Sequence, residues 1–255
     1  MSPQDFTAEL PPQDDPEIGQ ELIRVRYDDG RTVQLRLHDY ARVYSFPGLY
    51  EQIVHGRLGC CSPEQIASML ADAVDDIGWD RARVRVIDLA AGNGISGEAL
   101  VSLGLRPVLG TDIIAAARDA AMRDRPDVYD AYETLDLLAL TEDQRRAIAA
   151  LNANALSCVA PVGNGSQQLP PPALFAVVRL LATDALIAYM HDPTLGVPDP
   201  ITPELFTEHL GDGVQTRQLE RRRYVHRRTV SGQPYEMEGV ILRVTRDRRP
   251  PTGAA

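Results

Sequence analysis

From Arg83 to Arg246 the chain alternates strand-length apolar runs with helix signals, and the first three runs each lead to an aspartate. Val84–Ile87 leads to Asp88, Pro107–Gly110 to Asp112 and Val128–Thr134 to Asp136. Two further runs follow, over 155–160 and 185–190. The helices between them start on capping residues. Thr141-Glu-Asp-Gln144 has the form of a capping box, and Thr202-Pro203 caps a short helix to about Leu210. Gly104 is placed to stop the first. Strand–helix units repeated in this way bury strands on both faces and predict a mainly parallel sheet. The ending differs. Val214–Val230 and Tyr235–Arg246 are long strand-like runs joined only by Ser231-Gly-Gln-Pro234, a hairpin that brings the sheet to seven strands.

Ahead of this unit, residues 21–80 read as an N-terminal β-hairpin and a helical cap. Ile23, Val25 and Tyr27 alternate before Asp28-Asp-Gly30, and Val33, Leu35 and Leu37 after it. Ser62-Pro63-Glu-Gln65 opens an amphipathic helix to Ile77. Residues 1–20, with Pro3, Pro11, Pro12 and Pro16 among acids, and residues 248–255 read as a disordered lead and tail. The strand–helix unit then spans residues 81–247.

Composition narrows the function classes. The 255 residues carry 26 basic and 36 acidic side chains, a net charge of −10, and every basic residue is Arg. A chain without Lys has no phosphate-loop lysine, no Schiff base and no Tyr-x-x-x-Lys pair. The acidic balance argues against a nucleic-acid coat. Cys60, Cys61 and Cys158 make neither a disulfide framework nor a zinc spacing, so no metal is expected and a reducing cytoplasm is. Cys60 and Cys61 read as small buried residues before the capped helix. Met1–Gly19 lacks the form of a secretory leader, and the most apolar stretch, 173–190, is broken by Arg179 and Asp184. No membrane partner is expected.

In an open parallel sheet ligands bind beyond the carboxyl ends of the strands. The turn there is Asp88-Leu-Ala90-Ala-Gly92-Asn93-Gly94-Ile-Ser-Gly97. Gly92 and Gly94 let a ligand approach the backbone, and the helix that follows favours an anionic group. Gly92-x-Gly94-x-x-Gly97 also fits a dinucleotide fingerprint. In that motif, however, a glycine rather than an acid ends the strand, and a carboxylate beside a pyrophosphate repels it.

Asp88-Leu-Ala-Ala-Gly92-Asn-Gly94 resembles the first motif of class I S-adenosylmethionine-dependent methyltransferases, acid-x-Gly-x-Gly-x-Gly, with Ala90 in place of the first glycine. The resemblance covers about Arg83 to Arg246 and implies a Rossmann-like α/β fold. Its finer pattern, with a Gly-containing loop over 162–165, is similar to the small-molecule branch of the Williams–Beuren-region methyltransferase. It implies S-adenosylmethionine as cofactor, with Asp88, Ala90, Gly92, Asn93 and Gly94 around it. Asp112 would accept from the ribose diol and Ile113 pack on the adenine. Asp136 would take the adenine amino group beside Leu137, and Val159 would face the methionine part. An aromatic N-terminal helix would cover the cofactor, here His38-Asp-Tyr40-Ala-Arg-Val-Tyr44. Tyr40 and Tyr44, four residues apart, share a helix face.

Methyl transfer needs alignment, exclusion of water and at most one base. His191, at the end of the fifth strand, and Tyr44 are the candidates. The absence of Asn-Pro-Pro-Tyr speaks against the amino-methylating enzymes of DNA and protein glutamine. The expected function is methyl transfer to a small-molecule acceptor. Two rivals stand beside it: an NAD(P)-dependent oxidoreductase using Gly92–Gly97, and an S-adenosylmethionine-binding module without turnover. The arginines from Arg217 to Arg228 read as charged protection of a sheet edge, or as a docking site for an acidic partner.

Overall fold

The computed structural model describes residues 6–14, 16–164, 168–193 and 199–246. The 248–255 tail, Gly165 of the fourth-strand loop and residues 1–5 of the lead lie outside the described residues.

The core unit is one seven-stranded sheet. Its strands are β4 (Arg85–Leu89), β5 (Arg106–Asp112), β6 (Tyr132–Thr134), β7 (Ala155–Pro161), β8 (Asp184–His191), β9 (Val214–Arg228) and β10 (Pro234–Arg246). Their order across the sheet is β6-β5-β4-β7-β8-β10-β9. β4 pairs in parallel with both β5 and β7, so the chain reverses its winding direction at β4. That switch point opens a crevice at the carboxyl ends of β4 and β7. β10 runs antiparallel between β8 and β9, and β9 is the edge. The α/β fold class expected from the alternation is the one observed.

Helices cover both faces. α2 (Ser62–Asp76) and α3 (Ile95–Ser102) bury Ile66, Leu70, Val74 and Leu100 against Val84, Val86 and Leu186. On the other face α5 (Glu142–Ala150), α6 (Pro171–Val178) and α7 (Pro203–Leu210) pack Ile148, Phe175 and Phe206 against Ile87, Leu156 and Ile187. The two-residue strand period sends alternate side chains into these two cores. α5 begins with the expected capping box between Thr141 and Gln144. α4 (Ala115–Asp124) lies against β5 and β6.

The N-terminal part departs from expectation. It is a three-stranded antiparallel sheet rather than a hairpin: β1 (Phe6–Glu9) pairs with β2 (Leu22–Tyr27), which pairs with β3 (Thr32–Arg36). Residues 1–20 are therefore not wholly a disordered lead. Phe6 and Ala8 alternate inward and pack with Ile23, Val25 and Leu49. The prolines bias the composition, but a four-residue strand needs only two inward apolar side chains and a partner. After β3 come α1 (Tyr40–Val43) and a π-helical turn over Glu51–Arg57. Among the described residues no helix is long and apolar enough to cross a membrane, and no cluster of His, Cys, Asp and Glu is arranged to hold a metal ion.

Candidate functional site

A cavity of about 650 Å³ lies over the carboxyl ends of the parallel strands, between the sheet and the N-terminal cap. Its size is that of a small-molecule site. The floor is the turn after β4, with Ala90, Gly92, Asn93 and Ser96. Asp112 and Ile113 line it from β5, Asp136 and Leu137 from beyond β6, and Val159–Pro161 from β7. Tyr40, Tyr44 and Tyr50 form the roof.

The turn is held from beneath. Asp88 is fully buried and does not line the cavity, which corrects its reading as a direct ligand contact. Its carboxylate accepts from the hydroxyls of Ser96 and Tyr129. Burial pushes its pKa up to about 6, against the pull of those hydroxyls and of Ser157. Gly94, at φ +86°, caps α3 and is likewise not part of the lining. Gly97 must be glycine for a different reason. A Cβ there would meet the Tyr129 ring at 2.4 Å.

Two contacts shape the ligand side. The Gly92 amide donates to Asp112 Oδ2 at 3.0 Å, and the Ile114 amide donates to Oδ1 at 2.9 Å. Each carboxylate oxygen keeps a second lone pair for a ligand. Burial raises the Asp112 pKa, while these amides hold it down. Tyr132 donates to the Gly92 carbonyl at 2.6 Å, so both backbone polar groups of Gly92 are held. Ile113 and Leu138 expose 67% and 60% of their surface while lining the cavity. Exposed apolar side chains at a cavity rim suit a flat ring. Asp136 stands beside them with one oxygen bonded to the Leu138 amide.

The roof is tied to the sheet domain. Arg125 donates to Glu51 at 2.7 Å, and Asn93 donates to the same carboxylate at 2.7 Å. Arg123 donates to the Tyr44 carbonyl. The rings of Tyr40 and Tyr44 stack at 5.6 Å, and Tyr44 meets Tyr50 at 5.3 Å. Burial raises all three phenol pKa values far from neutrality. Burial keeps Tyr44 a neutral phenol in the wall of the cavity.

His191 does not reach the cavity, which corrects its reading as the base. On β8 it alternates with Met190, which does line the cavity. A period of two turns His191 to the Tyr189 face. There its Nε2 lies 3.0 Å from Glu238 and 3.1 Å from Arg221. Sequence reasoning put His191 at the right strand end and could not see the face.

At the end of the cavity away from the glycine turn stand His55, Asp192, His226, Arg227, Tyr235 and Met237. His226 and Arg227 were hidden in a run that reads as an arginine-rich edge strand. β9 is indeed the edge, and Arg221, Arg222 and Arg223 pair with acids there. Arg227 is different: it is 3% exposed and bonded to Glu21, itself 1% exposed.

A methyltransferase from Anabaena variabilis that depends on S-adenosylmethionine superposes with a TM-score of 0.50 over 84% of this chain and 96% of its own, at 12% identity. This chain shares its fold with that methyltransferase. A candidate RNA methyltransferase from Pyrococcus horikoshii matches 72% of this chain and 82% of its own, at 16% identity and a TM-score of 0.47. Magnesium protoporphyrin IX methyltransferase from Synechocystis, solved with its cofactor bound, matches 72% and 80%, at 16% identity and a TM-score of 0.44. No protein-family model matches the chain, and no curated protein matches it.

Proposed function

We propose that this protein is an S-adenosylmethionine-dependent methyltransferase acting on a small-molecule acceptor, within the branch its sequence resembles. One observation carries the reading: a single roofed cavity of about 650 Å³ is lined by the Gly92 turn and Asp112 and also by His226, Tyr235 and Met237 of the terminal hairpin. The residues present fit the cofactor. Asp112 has lone pairs for a ribose diol, Ile113 and Leu138 offer apolar surface for adenine, and Asp136 can accept from its amino group. Ala90, Asn93 and Val159 line the space left for the methionine part. When bound, the cofactor supplies an electrophilic methyl on a cationic sulfur. The chain's own work is to position, to exclude water under the tyrosine roof and to receive a proton.

The dinucleotide reading is disfavoured by the same turn. The Gly92 amide, which a pyrophosphate would need, is spent on Asp112. Among the described lining residues the arginine, Arg227, belongs to the far end. The acidic charge of the chain supports a small molecule over a nucleic acid.

Titration calorimetry of the full chain with S-adenosylhomocysteine and with NADH tests the cofactor. Saturable binding of the first and none of the second is expected. The reverse sinks the proposal. Binding without turnover across a broad acceptor panel favours the non-catalytic rival.

A further inference from the structure

We infer that the part of the cavity around His226 is the acceptor subsite for a hydroxyl-bearing molecule without negative charge, and that His226 Nε2 takes the hydroxyl proton. This rests on the methyltransferase reading and deepens it.

His226 ends a chain of contacts that runs from Met190 through Tyr224 and Ser62. In the arrangement we infer, Tyr224 gives its one hydroxyl proton to the Met190 sulfur at 3.5 Å, since a thioether can only accept. A tyrosine has one such proton. At its 2.8 Å contact with Ser62, Tyr224 therefore accepts, and Ser62 donates. Ser62 has then spent its own proton, so at its 2.6 Å contact with His226 Nδ1 it accepts. This arrangement puts the ring proton on Nδ1 and the lone pair on Nε2. Both side-chain contacts of His226 among the described residues run through Nδ1, which leaves Nε2 uncommitted in a ring that lines the cavity. The hydrogen bond made by one ring nitrogen thus sets the chemistry of the other.

The groups around His226 keep it neutral. Burial, Arg227 and His55 push its pKa down to about 3, and Asp192 opposes them. A neutral imidazole with so low a pKa is a weak base, and methyl transfer to a hydroxyl asks for no more. As the O–CH3 bond forms, the C–S bond breaks and its electron pair stays on sulfur. The acceptor oxygen, now with three bonds, becomes strongly acidic. Its O–H bond breaks, and the proton goes to Nε2 and from there to solvent.

The charge at this end turns away an anionic acceptor. Arg227 is neutralised by Glu21, and Asp192 accepts from the Tyr235 hydroxyl. The Tyr50 ring, 5.9 Å from His55, adds an aromatic wall. His55 is the weaker candidate for the base, because its Nε2 is buried away from the cavity surface.

The test uses the full chain, S-adenosylmethionine as donor and 2-naphthol as acceptor, with 2-naphthylamine and 2-naphthoate as matched arms. Methylation of 2-naphthol on oxygen, and of neither analogue, is expected. His226→Ala should lower the rate about 100-fold or more, with S-adenosylhomocysteine affinity unchanged and the rate partly restored by added imidazole. Ser62 acts as a positioning residue. In the wild-type chain the ¹⁵N shifts of His226 should report a protonated Nδ1, and in Ser62→Ala a mixture of tautomers. A wild-type rate in His226→Ala, no rescue by imidazole, preference for the amine or the carboxylate, or no turnover of any arm overturns the assignment. If the wild-type chain does not bind S-adenosylhomocysteine, the methyltransferase reading itself falls, and calorimetry reads that before any acceptor is added.

Discussion

The Gly92 amide and the Asp112 carboxylate are joined by a 3.0 Å hydrogen bond, so the turn after β4 and the end of β5 move as one unit. This bond aims the carboxylate into the cavity and denies the amide to a phosphate. Asp112→Ala removes both the ribose acceptor and the brace. S-adenosylhomocysteine affinity should fall at least about tenfold, or about 1.4 kcal/mol. Calorimetry checks it, and unchanged affinity would show that Asp112 serves the turn alone.

Gly92 is also where the roof meets the floor. It has φ +55°, and a Cβ there would lie 2.7 Å from the Tyr44 hydroxyl but 3.4 Å from the ring carbon that bears it. Gly92→Ala should cost about 1–3 kcal/mol through backbone strain and this clash. Adding Tyr44→Phe should recover part of the loss, since it removes only the clash. Urea unfolding of the two single variants and the double variant reads the coupling. Strict additivity would mean that the roof shifts freely.

Ala90 occupies the left-handed region at φ +50° with a side chain that disfavours it. Ala90→Gly should relieve that strain and raise stability by about 1 kcal/mol, net of the entropy glycine adds to the unfolded chain. A higher urea midpoint at unchanged slope is the expected result. A lower midpoint would mean that the Ala90 side chain contributes packing that outweighs the strain.

Asp88 makes stability depend on pH. Its folded pKa of about 6 stands above the ordinary 3.8. A carboxylate raised on folding binds its proton more tightly in the folded state, so folding is favoured as pH falls. Above pH 6 the buried charge costs up to about 3 kcal/mol, and this cost fades between about pH 6 and pH 4. Asp88→Asn should therefore gain stability relative to the wild type at pH 8 and lose that advantage at pH 4. Denaturant midpoints at the two pH values decide it. An advantage of equal size at both would place the effect elsewhere.

The alternation of strands and helices, the capping box at Thr141, the terminal hairpin and the glycine turn after β4 were all legible in the chain, because each is written in residues close in sequence. The helix from Ser62 and the placement of Asp112, Ile113 and Asp136 at strand ends follow from the same local signals. What needed the tertiary structure was the direction of side chains and the company they keep. His191 lies at the mouth but on the opposite face. Asp88 leads the motif yet is sealed beneath Tyr129, which is 41 residues away. β1 exists because β2 offers it an edge. His226 lies in a run of arginines and gains its chemistry only when the antiparallel hairpin sets it against Ser62, 164 residues earlier in the chain. Periodicity and caps act over one or two turns of backbone, so sequence alone settled the elements. Burial and proton direction are properties of groups brought together from far apart, and only the folded chain decided them.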